Sequence, residues 1–222
     1  NDPLSGSLKI GVIPTVGPYL LPDVAPELRQ RFPKLSLVWL EEKTSSLLEK
    51  LQRAELDAAI VALEPSLSQQ PHVVLGVDEF VFAAAPEHAL SKLKRRMRPE
   101  ELEQEHVLLL DDGHCFRDQA LSLCTRVGAE EAPFRATSLS TLVQMTAAGR
   151  NVTLLPSLAL PVENRSGALS IREFVKDPPT RTLILLFRKN SSRESALQAV
   201  GDSIHRTFAS KSRRLGNGAK RE

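Results

Sequence analysis

Apolar and polar positions along this chain repeat with two periods, one of two residues and one near four, and the two take turns. Leu8-Lys9-Ile10-Gly11-Val12-Ile13 alternates apolar with small or polar residues and stops at Pro14, a strand running into a loop. Pro18, Pro22 and Pro26 follow. Proline fits a first helical turn and kinks an interior, so one bent helix or two short ones are expected, ending near Phe32-Pro33. Leu35 to Leu40 reads as a second strand. Ser46 and Glu49 have the spacing of a capping box for a helix carrying Leu47, Leu48 and Leu51, and Asp57 to Leu63 as a third strand. Strand, helix, strand, helix, strand with short links is the pattern of crossover units and a largely parallel sheet.

A second set of units follows. Glu79 to Ala85 is an extended run ending at Pro86, a candidate crossing from a first lobe into a second. Val107 to Leu110 is a strand, Asp111-Asp112-Gly113 a turn, and Phe116 to about Val127 a helical stretch. Phe134 to Thr137 is a short strand, and Ser138 caps a helix reaching Gly149 before the strand from Val152 to Leu155. Thr182 to Phe187 is placed to cross back. Ser191 and Glu194 suggest another capping box, and Leu197, Val200, Ile204 and Phe208 give a final helix one apolar face, with the first lobe as its expected partner. The expected fold is α/β: residues 1–80 with 186–210 form one subdomain, 81–185 a second, and 211–222 a basic flexible tail. Two such lobes would converge their strand ends on a cleft suited to a small ligand.

Composition adds exclusions. Hydrophobic residues at 41% and charged residues at 25% are ordinary globular values. No apolar run reaches the roughly 20 residues a membrane helix needs, and no basic leader precedes an apolar stretch, so a cytoplasmic protein without a membrane role is expected. The chain opens on Asn1, and Asp2-Pro3-Leu4-Ser5-Gly6 reads as a linker, so it is expected to be a fragment. The formal net charge of +2 is concentrated at the end, where Lys211 to Glu222 holds five basic groups and one acid. The internal run Lys92-Leu93-Lys94-Arg95-Arg96 is followed by Glu100, Glu101, Glu103 and Glu105, a solvated mixed surface rather than a nucleic-acid face.

Both cysteines fall in the segment from Asp111 to Cys124. Cys115 follows a glycine turn at the expected start of a helix, where unpaired backbone N–H groups favour an anion, and His114 and Arg117 could add positive potential. A thiolate there would attack a peroxide O–O bond and become a sulfenic acid. Cys124 lies nine residues on. On one helix the two Cα atoms would stand about 13 Å apart along the axis, beyond the roughly 7 Å a disulfide allows. Closing the bond would therefore require unwinding, and such a bond would be readily reduced. Two buried cysteines serving only as small hydrophobes is the competing reading, and the residues leave both open. A metal site is not expected: C-x-x-C spacing is lacking, and His72, His88, His106, His114 and His205 form no ligand series.

The run Asp112-Gly113-His114-Cys115-Phe116-Arg117-Asp118-Gln119-Ala120, followed by Cys124, resembles the redox motif of the hydrogen-peroxide-sensing LysR-type transcriptional regulators. The likeness extends to Gly11 through Pro22, to Phe134-Arg135-Ala136-Thr137-Ser138-Leu139, and to Thr153-Leu154-Leu155-Pro156, and covers nearly the whole chain to about Phe208. It implies two Rossmann-like subdomains of the periplasmic-binding-protein-like type, joined by two crossover strands. It also implies that Cys115 reacts with peroxide and that Cys124 resolves it as an intramolecular disulfide. Thr15, Thr44, His114, Asp118 and Arg181 fall where that family places groups around the peroxide. Hydroxyls and an imidazole would hold its oxygens, Arg181 would stabilise a thiolate and a developing oxyanion, and Asp118 would orient basic groups or relay a proton.

The resemblance further implies a homodimer of this domain, a tetramer for the full-length protein, DNA contact through a helix-turn-helix part that is absent here, engagement of RNA polymerase, and re-reduction by a glutaredoxin or thioredoxin. It implies no cofactor and no enzymatic turnover. Ser122 stands where some relatives have glycine, which bears on how readily the helix unwinds. The alternatives are an effector domain binding a small organic ligand without redox chemistry, and a thiol peroxidase. Thiol counting separates the first of these, and turnover the second.

Overall fold

The computed structural model describes residues 2–175 and 178–218, with side chains through 214. Its contacts divide the chain into two compact units, residues 1–77 with 182–222, and residues 78–181. Both divisions fall a few residues earlier along the crossing strands than the sequence suggested.

Unit 1 opens with β1 (Gly6–Val12), α1 (Gly17–Arg31), β2 (Leu35–Glu41), α2 (Thr44–Gln52) and β3 (Ala58–Ala62). β1 pairs in parallel with both β2 and β3. α1 is a single helix despite Pro22 and Pro26. Pro18, Pro22 and Pro26 recur at the four-residue spacing that keeps them on one face, and all three are exposed, so carbonyls deprived of a helical donor can be hydrated. Gly11 lets α2 close on β1: a Cβ there would lie 2.5 Å from the Leu47 side chain. The capping box at Ser46 and Glu49 does not form. Lys43 is the N-cap, one turn earlier than expected, and the Ser46 hydroxyl donates to Glu42 instead.

β4 (His72–Ala84) starts well before the expected Glu79 and leaves unit 1 after Val77. Unit 2 holds the rest of β4, then β5 (His106–Leu110), α3 (Cys115–Val127), β6 (Glu130–Ala136), α4 (Leu139–Ala148), β7 (Val152–Pro156), α5 (Leu160–Glu163) and β8 (Ser170–Glu173). β5 is parallel to both β6 and β7, whereas β7 and β8 run antiparallel to β4. The Ser138 hydroxyl accepts from the Thr141 N–H and caps α4 as read from sequence.

β9 (Thr180–Phe187) returns to unit 1 and lies antiparallel to β3. The sheets are thus mixed rather than largely parallel, because each crossing strand runs against its neighbour. α6 (Glu194–Gly218) closes the chain, with Leu197, Val200 and Ile204 fully buried and Phe208 nearly so. It packs on α1 as expected: the Ser203 hydroxyl donates to Glu27 at 3.0 Å, and Lys211 pairs with Asp23 at 2.5 Å. Its second predicted box fails, since the Ser191 hydroxyl accepts from the Arg193 N–H and forms a turn before the helix. Residues 211–218, expected to fray, are helical, and 219–222 lie outside the described residues.

Candidate functional site

Gly113, at φ +85°, supplies the left-handed turn that brings the chain off β5 into α3. His114 is the N-cap with extended backbone, its carbonyl accepting from the Arg117 N–H at 2.9 Å, and Cys115 is the first helical residue. Cys124 lies on the same unbroken helix, whose end is fixed by Gly128 at φ +76° donating to the Cys124 carbonyl. Both cysteines are free thiols and buried. The sequence reading of their geometry therefore applies: about 13 Å of helical rise separates the two Cα atoms, and the sulfurs could meet only if the helix opened.

The helix start is held by charge. Arg117, 4% exposed, donates from Nε to Asp112 at 2.9 Å, from Nη1 to the Leu110 carbonyl at 3.1 Å, and from both Nη atoms to Glu131 at 2.9 and 3.1 Å. Arg135 donates to the same two carboxylates, at 3.0 Å to Asp112 and 2.8 Å to Glu131. Two guanidinium groups and two carboxylates thus join the β5–α3 turn, α3 and β6. Arg117, expected to lend positive potential to Cys115, is paired with Glu131 and Asp112, whose hydrogen bonds and negative charge push its pKa up. The Arg117 hydrogen bonds in turn hold Glu131 below the usual carboxylate range.

Burial pushes the Cys124 thiol up to about 11, with the negative charge of Glu131 adding to it. While α3 is intact, Cys124 is a protonated, weakly nucleophilic thiol.

Phe116, beside Cys115, packs edge-on against Phe80 of β4, centroids 4.8 Å apart at 71°. Its ring also carries the Arg181 guanidinium, 5.5 Å from the centroid. Arg181 is fully buried and donates from Nε and Nη2 to Asp78 at 3.0 and 2.9 Å. The other Asp78 oxygen accepts from the Ser157 hydroxyl and the Leu158 N–H, each at 3.0 Å. Asp78 escaped the sequence reading because nothing local distinguishes it from a solvated strand-end acid; its partner is 103 residues away.

Unit 2 thus gathers Cys115, Cys124, His114 and Arg181 as buried residues. Asp118 is exposed on the outer face of α3 and lines a depression of about 450 Å³ with Leu121, Ser122, Thr125 and Arg126. Thr15 and Thr44 belong to unit 1, where both are buried; Thr44 is the first residue of α2, and its hydroxyl has no hydrogen-bond partner among the described residues. Among those residues no cluster of metal-ligating side chains occurs, and no helix is long and apolar enough to cross a membrane.

The two α/β units are linked by the crossing strands β4 and β9, and the second carries both free thiols on α3. The chain belongs to the LysR substrate binding domain family, which matches residues 1–209. It is 40% identical over 205 residues to a hydrogen peroxide-inducible genes activator of Dickeya chrysanthemi, covering 92% of this chain and 67% of that protein. Its fold is similar to the crystal structure of the reduced form of OxyR, with a TM-score of 0.84, 38% identity, and 93% and 98% of the two chains covered. The oxidised form of OxyR matches equally, with a TM-score of 0.84, 39% identity, and 94% and 98% covered. The chain spans about two thirds of the length of the curated relatives it matches.

Proposed function

We propose that this domain senses hydrogen peroxide through Cys115 and Cys124. The Cys115 thiolate attacks one peroxide oxygen and the O–O bond breaks, leaving a sulfenic acid and hydroxide, which takes up a proton to become water. The Cys124 thiolate then attacks the Cys115 sulfur, expelling the sulfenic oxygen as a second hydroxide and forming the disulfide. Two electrons pass from the two thiols to one peroxide.

The observation that carries this reading is the pair of thiols on one intact helix, too far apart to bond. Sulfenic acid formation alone changes little. Resolution requires α3 to open, and opening also exposes Cys124 to water, where a thiol returns toward its ordinary pKa of about 8.5 and its thiolate fraction at neutral pH rises by more than ~100-fold. Oxidation is thereby converted into a change of backbone.

Within unit 2 this reading gives Arg181 and His114 the task of stabilising the thiolate and the departing hydroxide. Asp118, and the hydroxyls of Thr15 and Thr44, are carried as peroxide-handling groups on the resemblance alone. In the full-length regulator the remodelled segment changes subunit packing, from a homodimer of this domain within a tetramer that holds DNA through a helix-turn-helix part. RNA polymerase is then engaged in the cytoplasm, and a glutaredoxin or thioredoxin restores the thiols. The domain is a sensor and not an enzyme: it is oxidised once per signal.

Thiol counting after one equivalent of peroxide tests the reading, with mass spectrometry of a Cys124→Ser variant. Loss of both thiols without added mass is expected in the parent protein, and a single-oxygen adduct on Cys115 in the variant. Retention of both thiols would favour an effector domain for a small organic ligand, and many peroxides consumed per chain with a reductant would favour a peroxidase.

A further inference from the structure

Within unit 1, α1 and α6 pack in opposite directions, Glu27 against Ser203 and Asp23 against Lys211. An open hollow of about 440 Å³ lies along their junction, lined by Arg31, Arg206, Lys211 and Arg214 together with Asp23 and Glu27. Both acids are engaged: Asp23 is paired with Lys211, and Glu27 accepts from the Ser203 and Thr207 hydroxyls. Arg31, Arg206 and Arg214 are exposed, and among the described residues none of the three has a carboxylate partner. Arg31 lies over the Phe32 ring, 6.0 Å from its centroid, a contact that narrows the poses its side chain takes.

Arg206 and Arg214 border the same hollow from one helix, about 12 Å apart along its axis, and Arg31 borders it from the other. Cations strung along a groove without acids to neutralise them suit an extended polyanion better than a single ion. Duplex DNA offers one phosphate per roughly 3.4 Å of axis on each strand, so a row of this length can face about three of them. We infer that the α1–α6 groove holds the phosphate backbone of DNA through Arg31, Arg206 and Arg214. Guanidinium forks grip phosphate oxygens whatever the base sequence, so the contact positions the domain on the duplex and reads nothing. The choice of DNA rests on the proposed place of this domain in a DNA-bound regulator, where tethering raises the local duplex concentration enough for a few contacts to count. Arg214 lies past residue 209, where the LysR substrate binding domain match ends, so one side of the groove is built outside the matched stretch.

The experiment titrates the reduced domain into a labelled duplex of arbitrary sequence and follows fluorescence anisotropy from about 20 to about 200 mM salt. R31Q and R206Q/R214Q probe the groove. K92Q/K94Q, in the exposed basic run of unit 2, is the control for diffuse attraction. The parent is expected to lose affinity with salt along a log–log slope of about −2.7 or steeper, as three neutralised phosphates require. R31Q should make that slope shallower by about 0.9 and R206Q/R214Q by about 1.8, with affinity at the lowest salt falling roughly tenfold or more for each arginine removed. K92Q/K94Q should stay within about twofold of the parent. All these side chains are exposed, and circular dichroism checks that each variant folds.

Slopes in R31Q or R206Q/R214Q that match the parent, or an equal loss in K92Q/K94Q, would overturn the inference, because non-specific attraction to any surface cation predicts one or the other. So would a parent domain that binds no duplex at the lowest salt. Tighter retention on vesicles of equal parts phosphatidylcholine and phosphatidylserine than on the duplex would assign the groove to lipid headgroups and overturn it as well. None of these measurements uses peroxide, so a domain whose thiols survive peroxide removes the sensing function alone and leaves the groove to be judged on its own slopes.

Discussion

Replacing Arg117 by alanine should loosen the reduced form of the switch without touching either sulfur. Three losses follow from the structure. The Leu110 carbonyl loses a buried donor, worth about 1–2 kcal/mol. Glu131 loses two charge-assisted bonds; a fully buried pair would cost about 3–5 kcal/mol, but Glu131 is 23% exposed and keeps Arg135, so about 1 kcal/mol is a fair allowance. Asp112 is 72% exposed and adds little. The total is about 2–3 kcal/mol, and it falls on the turn and first residues of α3. Closing the Cys115–Cys124 bond unwinds that region, so the disulfide form does not share the loss. Destabilising only the reduced form makes the disulfide harder to reduce, and 2–3 kcal/mol on a two-electron couple lowers the potential by about 45–65 mV. Equilibration in graded thiol–disulfide buffers, alkylation and mass spectrometry give the potential, and urea unfolding of the reduced domain gives the stability. A lower urea midpoint with a potential within about 10 mV of the parent would refute the argument, since it would mean that the ionic cluster survives oxidation.

Ser122→Gly, on the exposed face of α3, should favour the open helix by about 0.5 kcal/mol and speed disulfide closure roughly twofold once the sulfenic acid has formed, measured by quenched flow. Gly128→Ala forces a side chain into φ +76° at the end of the helix and should cost about 1 kcal/mol, lowering the melting temperature by about 2–4 °C in a scan of the reduced domain. The Cys124 thiol, raised in the fold from 9.0 to about 11, binds its proton more tightly folded than unfolded. Its contribution is therefore complete below pH 9 and lost as pH climbs through 9 to 11; the ceiling is about 2.7 kcal/mol and relaxation brings it to about 1–2, so Cys124→Ser should flatten the alkaline fall in stability seen by urea titration at pH 8, 9, 10 and 11.

The strands and helices that carry the chain's apolar alternation were legible in advance: β1, β2, β3, β5, β7, β9 and α6 all follow from periodicity. The glycine turn also marked Cys115 as the start of a helical stretch reaching about Val127, and α3 carries both cysteines. What local pattern could not supply was pairing at a distance. The first residues of β4 alternate, but Val74 and Val77 are exposed and Gly76 interrupts the run, so the strand looked shorter than it is. The boxes at Ser46 and Ser191 had the right spacing, yet the helices begin one turn before the first and two residues beyond the start of the second, because packing against β1 and α1 decides where each helix can start. Arg117 and Arg181 both look like cations in the sequence. Their carboxylates, Glu131 and Asp78, come from other strands, and only the folded chain shows that each charge is spoken for.

The division of unit 1 into two stretches has a consequence for how the polypeptide emerges from the ribosome. Residues 78–181 are continuous and can collapse as soon as they are made, whereas β3, in the first half of unit 1, must wait more than a hundred residues for β9 to cover its free side, and α1 waits longer still for α6. During that interval Ala58-Ala59-Ile60-Val61-Ala62 presents an uncharged, unpaired strand margin to its neighbours in the cell. Nascent chains stalled between these points are where chaperone engagement and off-pathway association should concentrate.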